Sequence, residues 1–171
     1  MRVSEFVAWI YPQAKEMNEI DPIFVTAQAA LESGWGKSAI GNNLFGITKG
    51  TTWNGPIKLV TTTEYFNRPD VSFKAPEEIV EIKQISPKRW RYKVKRLFRD
   101  YDTVGDCLRD HLRILQKPGY SDAWPYRNDA KEFLRRIVDS VGSKYATDPN
   151  YVDTMLKVIE MVKHETLRQQ L

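Results

Sequence analysis

The chain has 171 residues, 42% of them hydrophobic and 28% charged, which suits one domain, or one core with a small lobe, and excludes disordered and collagen-like classes. Lysine plus arginine is 26 against 22 for aspartate plus glutamate, a formal +4 that suits anionic partners without choosing among nucleic acid, membrane surface and acidic glycan. The charge is unevenly placed: residues 83–99 hold eight bases and no acid, leaving 18 bases against 22 acids, a charge of −4, in the other 154 residues.

No stretch approaches the roughly 18 apolar residues of a membrane span. The early apolar run, Phe6 to Tyr11, is closed by Pro12 and is too short for a secretory leader, so no signal peptide is expected. The lone Cys107 excludes an internal disulfide, and two distant histidines, His111 and His164, argue against a Cys/His zinc site.

Helical spacing of Val3, Phe6, Val7, Ile10 and Ala14 predicts a first helix to about Met17, bent or split at Pro12. Asp21-Pro22 pairs a capping acid with proline at the first helical position, and this second helix ends near Ser33-Gly34. Residues 41–55, rich in Asn, Gly and Thr, read as loop. Strands are expected at 57–66, 78–85 and 89–99. Helical periodicity returns through Val104, Leu108, His111 and Leu115, then again from Asn128 or Asp129 to Gly142, and finally from Pro149 through Val162.

Glu32 is the first chemical candidate. It lies in the last turn of an alanine-rich helix, where the helix dipole disfavours the ionised carboxylate, by only about 0.3–1 kcal/mol. A useful general acid would need burial beside apolar groups such as Trp35 as well, and from position alone a solvated surface role is the commoner one.

The surrounding words change that balance. The run from Ala27 through Ser38, with Leu31-Glu32-Ser33-Gly34-Trp35-Gly36 at its centre, resembles the acid-bearing segment of family 73 glycoside hydrolases, the glucosaminidase domains of bacterial autolysins, flagellar peptidoglycan hydrolases and some phage lysins. Asn42-Asn43-Leu44-Phe45-Gly46-Ile47, Thr63-Glu64-Tyr65, Phe98-Arg99 with Tyr101, Asp110-His111, and Tyr145 through Tyr151 resemble the family's further motifs, in family order over residues 3–162. The resemblance implies one catalytic domain over 1–171, with a mostly helical α+β fold: a lysozyme-like α-lobe and a small antiparallel β-lobe, about residues 57–101, enclosing a glycan groove. It implies an endo-β-N-acetylglucosaminidase acting on peptidoglycan strands, a monomer without metal or organic cofactor. Glu32 becomes the general acid, Glu64 the second carboxylate and Tyr145 the phenol that orients the acetamido group or the water. Substrate contacts are expected from Trp35, Asn43, Phe45, Asp110, Trp124 and Tyr126.

Plainer readings stand beside these. Glu64 suits a cross-strand surface pair, Tyr145 a wedge under the turn, and Asp110 an ion pair with Arg109 or Arg113. His111 lies on the apolar stripe as a core histidine, Cys107 reads as a small buried hydrophobe, and about half of the loop aromatics belong to the core.

The chain departs from the family between Glu64 and Phe98, where 33 residues stand in place of a short hairpin, about twenty in excess. Alternation there sets Trp90, Tyr92 and Val94 against Arg89, Arg91, Lys93 and Lys95. Either an edge strand is guarded by charge, or a basic lip meets anionic envelope polymers: peptide-stem carboxylates, teichoic acid or lipopolysaccharide phosphates. A muramidase, a lytic transglycosylase and a non-catalytic wall-binding module remain alternatives; residues 83–99 would suit nucleic acid, although no reader motif accompanies them and none is expected as partner. A phage-type endolysin released by another protein, or a domain trimmed from an exported one, is the expected setting.

Overall fold

The computed structural model describes residues 1–141 and 148–171. Tyr145 and Gly142 therefore lie outside the described residues. Helices α1 (Val3–Met17) and α2 (Pro22–Ser33) come first, followed by a loop and strands β1 (Ile57–Phe66), β2 (Glu78–Ser86) and β3 (Arg89–Arg99). Helices α3 (Val104–Leu115), α4 (Ala130–Val141) and α5 (Tyr151–Gln169) complete the chain, with short 3-10 turns at Pro118–Tyr120 and Trp124–Tyr126. No described helix is long and apolar enough to cross a membrane.

Helix α2 is the axis of the helical lobe. Every residue from Phe24 to Ala30 is buried, so this helix is enclosed on nearly all sides and packs against α1, α4 and α5. Phe6, Ile10, Phe24, Phe133, Ile137, Met155 and Ile159 are sealed from solvent in the same core. Side chains of this size contribute about 1.5–3 kcal/mol each on burial. Asp21 starts two helices at once: Oδ1 accepts the Ile23 N–H (2.9 Å) and Oδ2 accepts the Ala130 N–H (3.1 Å) at the head of α4. Pro12 neither splits nor ends α1, which continues to Met17. The carbonyl it leaves without a donor belongs to Ala8, which is open to solvent, and the Gln13 side chain donates to the Trp9 carbonyl (2.9 Å).

The sheet order is β1-β3-β2, antiparallel throughout. The extra residues thus add a strand on the far side of β3 while leaving β1 and β3 paired, with Glu64 opposite Tyr92. They also cover the sheet's inner face: Phe73 packs on Phe66, and the Tyr92 hydroxyl donates to the Arg68 carbonyl (2.9 Å) and accepts the Val71 N–H (3.2 Å).

A buried carboxylate ties the lobes together. Asp110 of α3 accepts from Arg99 at the end of β3 (2.9 Å), from the Tyr101 hydroxyl (2.5 Å) and from Arg113 (3.1 Å). Burial pushes its carboxyl up, but the Tyr101 and Arg99 donors outweigh that and hold it below the usual aspartate range. Asp110→Asn leaves the nearly buried Arg99 without its counter-charge, and a loss of about 3–5 kcal/mol at neutral pH is expected in urea unfolding. Because the folded pKa is depressed, this stabilisation is present above the unfolded value, about 4, and fades as pH falls toward the folded one. The difference between the two proteins should therefore shrink in acid.

Candidate active site

Glu32 stands at the last turn of α2, one residue before the helix ends. Gly34 takes the left-handed cap (φ 55°), and Trp35 follows in the same region (φ 57°), unusual for a side chain so large. The Trp35 N–H reaches back to the Ala30 carbonyl (2.7 Å), and its ring meets Phe6 edge-on at 5.7 Å. This tight reversal holds the end of the helix, and with it Glu32, against the core.

The Glu32 side chain is open to solvent, yet enough protein surrounds its carboxylate that desolvation raises the pKa above the ordinary glutamate value. The opposing influence is the Tyr151 hydroxyl, which donates to Oε1 over 3.4 Å and lowers the pKa in part. The same hydroxyl accepts from the buried Gln28 Nε2 (3.3 Å), one turn earlier on α2. Gln28, Tyr151 and Glu32 therefore form a chain of polar contacts from the interior to the acid. An acid with an elevated pKa at an accessible position is the requirement for protonating a leaving group near neutrality.

Glu64 lies on β1 and accepts from Arg96 Nη1 (3.3 Å), while Arg96 Nε binds Glu77 (2.8 Å). Glu77 also accepts the Leu97 N–H (3.0 Å), so the inserted segment braces the arginine that holds Glu64. A cleft of about 580 Å³ runs between the β-lobe tip, at Tyr65, Phe66, Asn67, Lys88 and Arg89, and Asp148-Pro149 just ahead of α5. In sequence, Glu64 directly precedes Tyr65 on β1, and Tyr151, which donates to Glu32, follows Pro149 by two residues.

The other expected contacts divide. Asn43 is buried, its amide donating to the carbonyls of Ile47 (3.0 Å) and Arg99 (2.9 Å). Asp110 is buried and engaged as described, so both support the site from behind. Phe45 stacks on His111 at 3.8 Å; His111 is itself buried, and desolvation pushes its pKa down to about 3. Trp35 packs toward α1. Trp124 borders a hollow of about 320 Å³ with Leu115, Lys117 and Tyr120, and Tyr126 lies half open beneath Arg136. Cys107 is fully buried and accepts the Leu44 N–H through sulfur (3.5 Å). A further cavity, also about 580 Å³, lies between Trp53 and the outer side of α3, but its arginines are already paired, Arg109 with Asp106 and Arg113 with Asp110.

Sequence reading missed Tyr151, Gln28, Arg96 and Glu77. For Tyr151 the signal was present, since it closes the same motif as Tyr145. The other three depend on contacts across 19 to 123 residues of chain, which no local pattern carries.

A helical lobe presenting one elevated carboxylic acid beside a small β-lobe with a second carboxylate is the arrangement of a glycoside hydrolase. The family model described as "Glucosaminidase: Mannosyl-glycoprotein endo-beta-N-acetylglucosaminidase" matches residues 8–164, and the chain belongs to that family. Peptidoglycan hydrolase FlgJ of Vibrio parahaemolyticus is 30% identical over 151 residues, 84% of this chain and 41% of that protein. Among solved structures, the glycoside hydrolase domain of Salmonella typhimurium FlgJ superposes with a TM-score of 0.71 at 24% identity, covering 99% of this chain and 94% of that one. A peptidoglycan hydrolase mutant from Sphingomonas sp. A1 gives a TM-score of 0.69 at 27% identity, covering 96% and 99%. The chain spans about two fifths of the length of the curated relatives it matches.

Tyr151→Phe removes a donor that favours the charged form, so the Glu32 pKa is expected to rise further. Carboxyl-carbon NMR titration of both proteins checks this, and a shift to lower pH would contradict the arrangement.

Proposed function

We propose that this chain hydrolyses the glycan strand of bacterial peptidoglycan as an endo-β-N-acetylglucosaminidase, with the wall as its place of action. The observation that carries the reading is Glu32: a carboxyl group whose pKa is raised by its surroundings, hydrogen-bonded by Tyr151 and open to solvent at the end of α2.

In this reading Glu32 gives its proton to the glycosidic oxygen, because an alkoxide is a poor leaving group and bond cleavage leaves an oxocarbenium-like sugar. Glu64, positioned by Arg96 on the β-lobe, serves as the second carboxylate, activating water or stabilising the positive charge. Environments divide the labour, since one carboxyl group is crowded by protein and the other faces a cation. Tyr145 keeps the role the resemblance implies, orienting the acetamido group or water. Trp124, with its adjoining hollow, is read as a ring that stacks on a sugar.

Glu32→Gln preserves shape while removing the proton. It is expected to slow muropeptide release from purified wall by at least about a hundredfold with an unchanged unfolding curve. Retained activity would remove Glu32 as the acid. Mass spectrometry of the products from the unaltered protein fixes the bond: reducing-end N-acetylglucosamine is expected, whereas reducing muramic acid or anhydro-muramic ends would replace the proposal with a muramidase or a transglycosylase.

A further inference from the structure

The eight bases of residues 83–99 are not absorbed by the chemistry above. Strand β3 is central, hydrogen-bonded to β1 on one side and to β2 on the other. Its bases therefore cannot be guards of an open edge, the ordinary explanation for such a strand. Arg89, Arg91, Lys93 and Lys95 line up on the outer face, spaced about 6.6–7 Å apart by the two-residue repeat. The register sets Lys83 directly opposite Arg91, a like-charge pair that weakens the sheet. Against these five bases the outer face offers two acids, Glu81 beside Lys93 and Glu78 near Lys95 (3.9 Å), while β1 contributes Thr61, Thr63 and Tyr65 and no acid. Folding alone gives no reason to tolerate this repulsion.

We infer that the outer face of the sheet is a docking surface for the carboxylate-bearing peptide branches of the glycan strand, an inference that rests on the peptidoglycan reading. A hollow of about 390 Å³ lined by Thr63, Tyr65, Glu81, Arg91 and Lys93 lies in the middle of the row. One acid, one threonine and one tyrosine among the bases suit a peptide that carries amino groups and hydroxyl partners as well as carboxylates; a uniformly anionic phosphate polymer would be repelled by Glu81. The row leads to the cleft: Arg89 lies over the Tyr65 ring at 4.5 Å, and both residues line the cleft with Asp148 and Pro149, close in sequence to Tyr151. A strand lying near Glu32 can thus rest its branches on the β-lobe. Nucleic acid is disfavoured because Trp90 and Tyr92 turn inward, leaving Tyr65, already covered by Arg89, as the one aromatic ring of β1 and β3 on this face.

The test separates binding from catalysis. The Glu32→Gln chain is co-sedimented with insoluble peptidoglycan and with the same glycan stripped of peptides by an amidase. At low ionic strength, adding Arg91→Gln and Lys93→Gln is expected to weaken retention on intact wall about tenfold and to leave retention on stripped glycan unaltered. Added salt should erase the difference, and Glu81→Gln should strengthen retention. Equal retention of the substituted and unsubstituted chains, or equal losses on both materials, would overturn the inference. So would preferential displacement by a soluble phosphodiester polymer or an oligonucleotide over an acidic peptide. These residues are exposed, and thermal unfolding confirms that the variants fold. If the unaltered protein releases no muropeptides, the hydrolase reading fails; normal release with unchanged retention removes the docking face alone.

Discussion

The carboxylate of Asp110 is the contact on which the arrangement of the two lobes depends. It reaches from α3 to Arg99 at the base of the sheet and to Tyr101 in the link between them. The loop before the sheet is fastened to the same place: Arg99 donates its N–H to Ile47 (3.0 Å) and its guanidinium to Thr48 (3.1 Å), and Asn43 holds the Arg99 carbonyl. Such a group is expensive to bury and becomes favourable only when well-placed donors surround it. With three donors in place it acts as a specific joint, since any slip of the sheet against α3 would strand a charge in the interior. The strand bearing Glu64 thereby has a defined position relative to the helix bearing Glu32.

Glu32 depends on a different constraint. The small side chains of Ala27, Ala29 and Ala30 let α2 lie in the middle of the helical lobe, with its C-terminal turn reaching the surface. The reversal at Gly34-Trp35 costs backbone strain at Trp35, of order 1–3 kcal/mol for such conformations, which core packing offsets. What results is an acid whose backbone is rigid and whose carboxylate is crowded without being sealed. Tyr151 and Gln28 then tune it from the interior side.

The inserted residues act twice. On the inner face they bring Phe73 and Glu77 to Arg96, whose guanidinium lies 5.1 Å over the Phe73 ring while gripping Glu64. On the outer face they supply β2, which makes β3 central and turns its bases into a continuous row. The acidic remainder of the chain carries Glu32 and Glu64, and the basic segment supplies both a brace for one carboxylate and the surface proposed for the peptide branches.

Local signals were sufficient for much of this. Asp21-Pro22, Gly34 and the 3.6-residue repeats bounded the helices, and strict alternation sorted Trp90, Tyr92 and Val94 from Arg91 and Lys93, because these features are written within a few residues of chain. The motif around Glu32 was equally legible. Other features had no local signature. Pro12 promised a break that an exposed carbonyl and Gln13 made unnecessary. Asn43 and Asp110 looked like groove residues and are consumed by Arg99 and its neighbours. The basic strand has the pattern of an edge, yet pairing on both sides places it in the centre. By itself, then, the sequence determined the elements, the inward and outward faces and the motif that carries Glu32, all set by nearest neighbours and by recurring residue order. Only the tertiary structure decided which polar groups are buried together and which strand lies inside the sheet, because desolvation and hydrogen-bond satisfaction are properties of the packed whole.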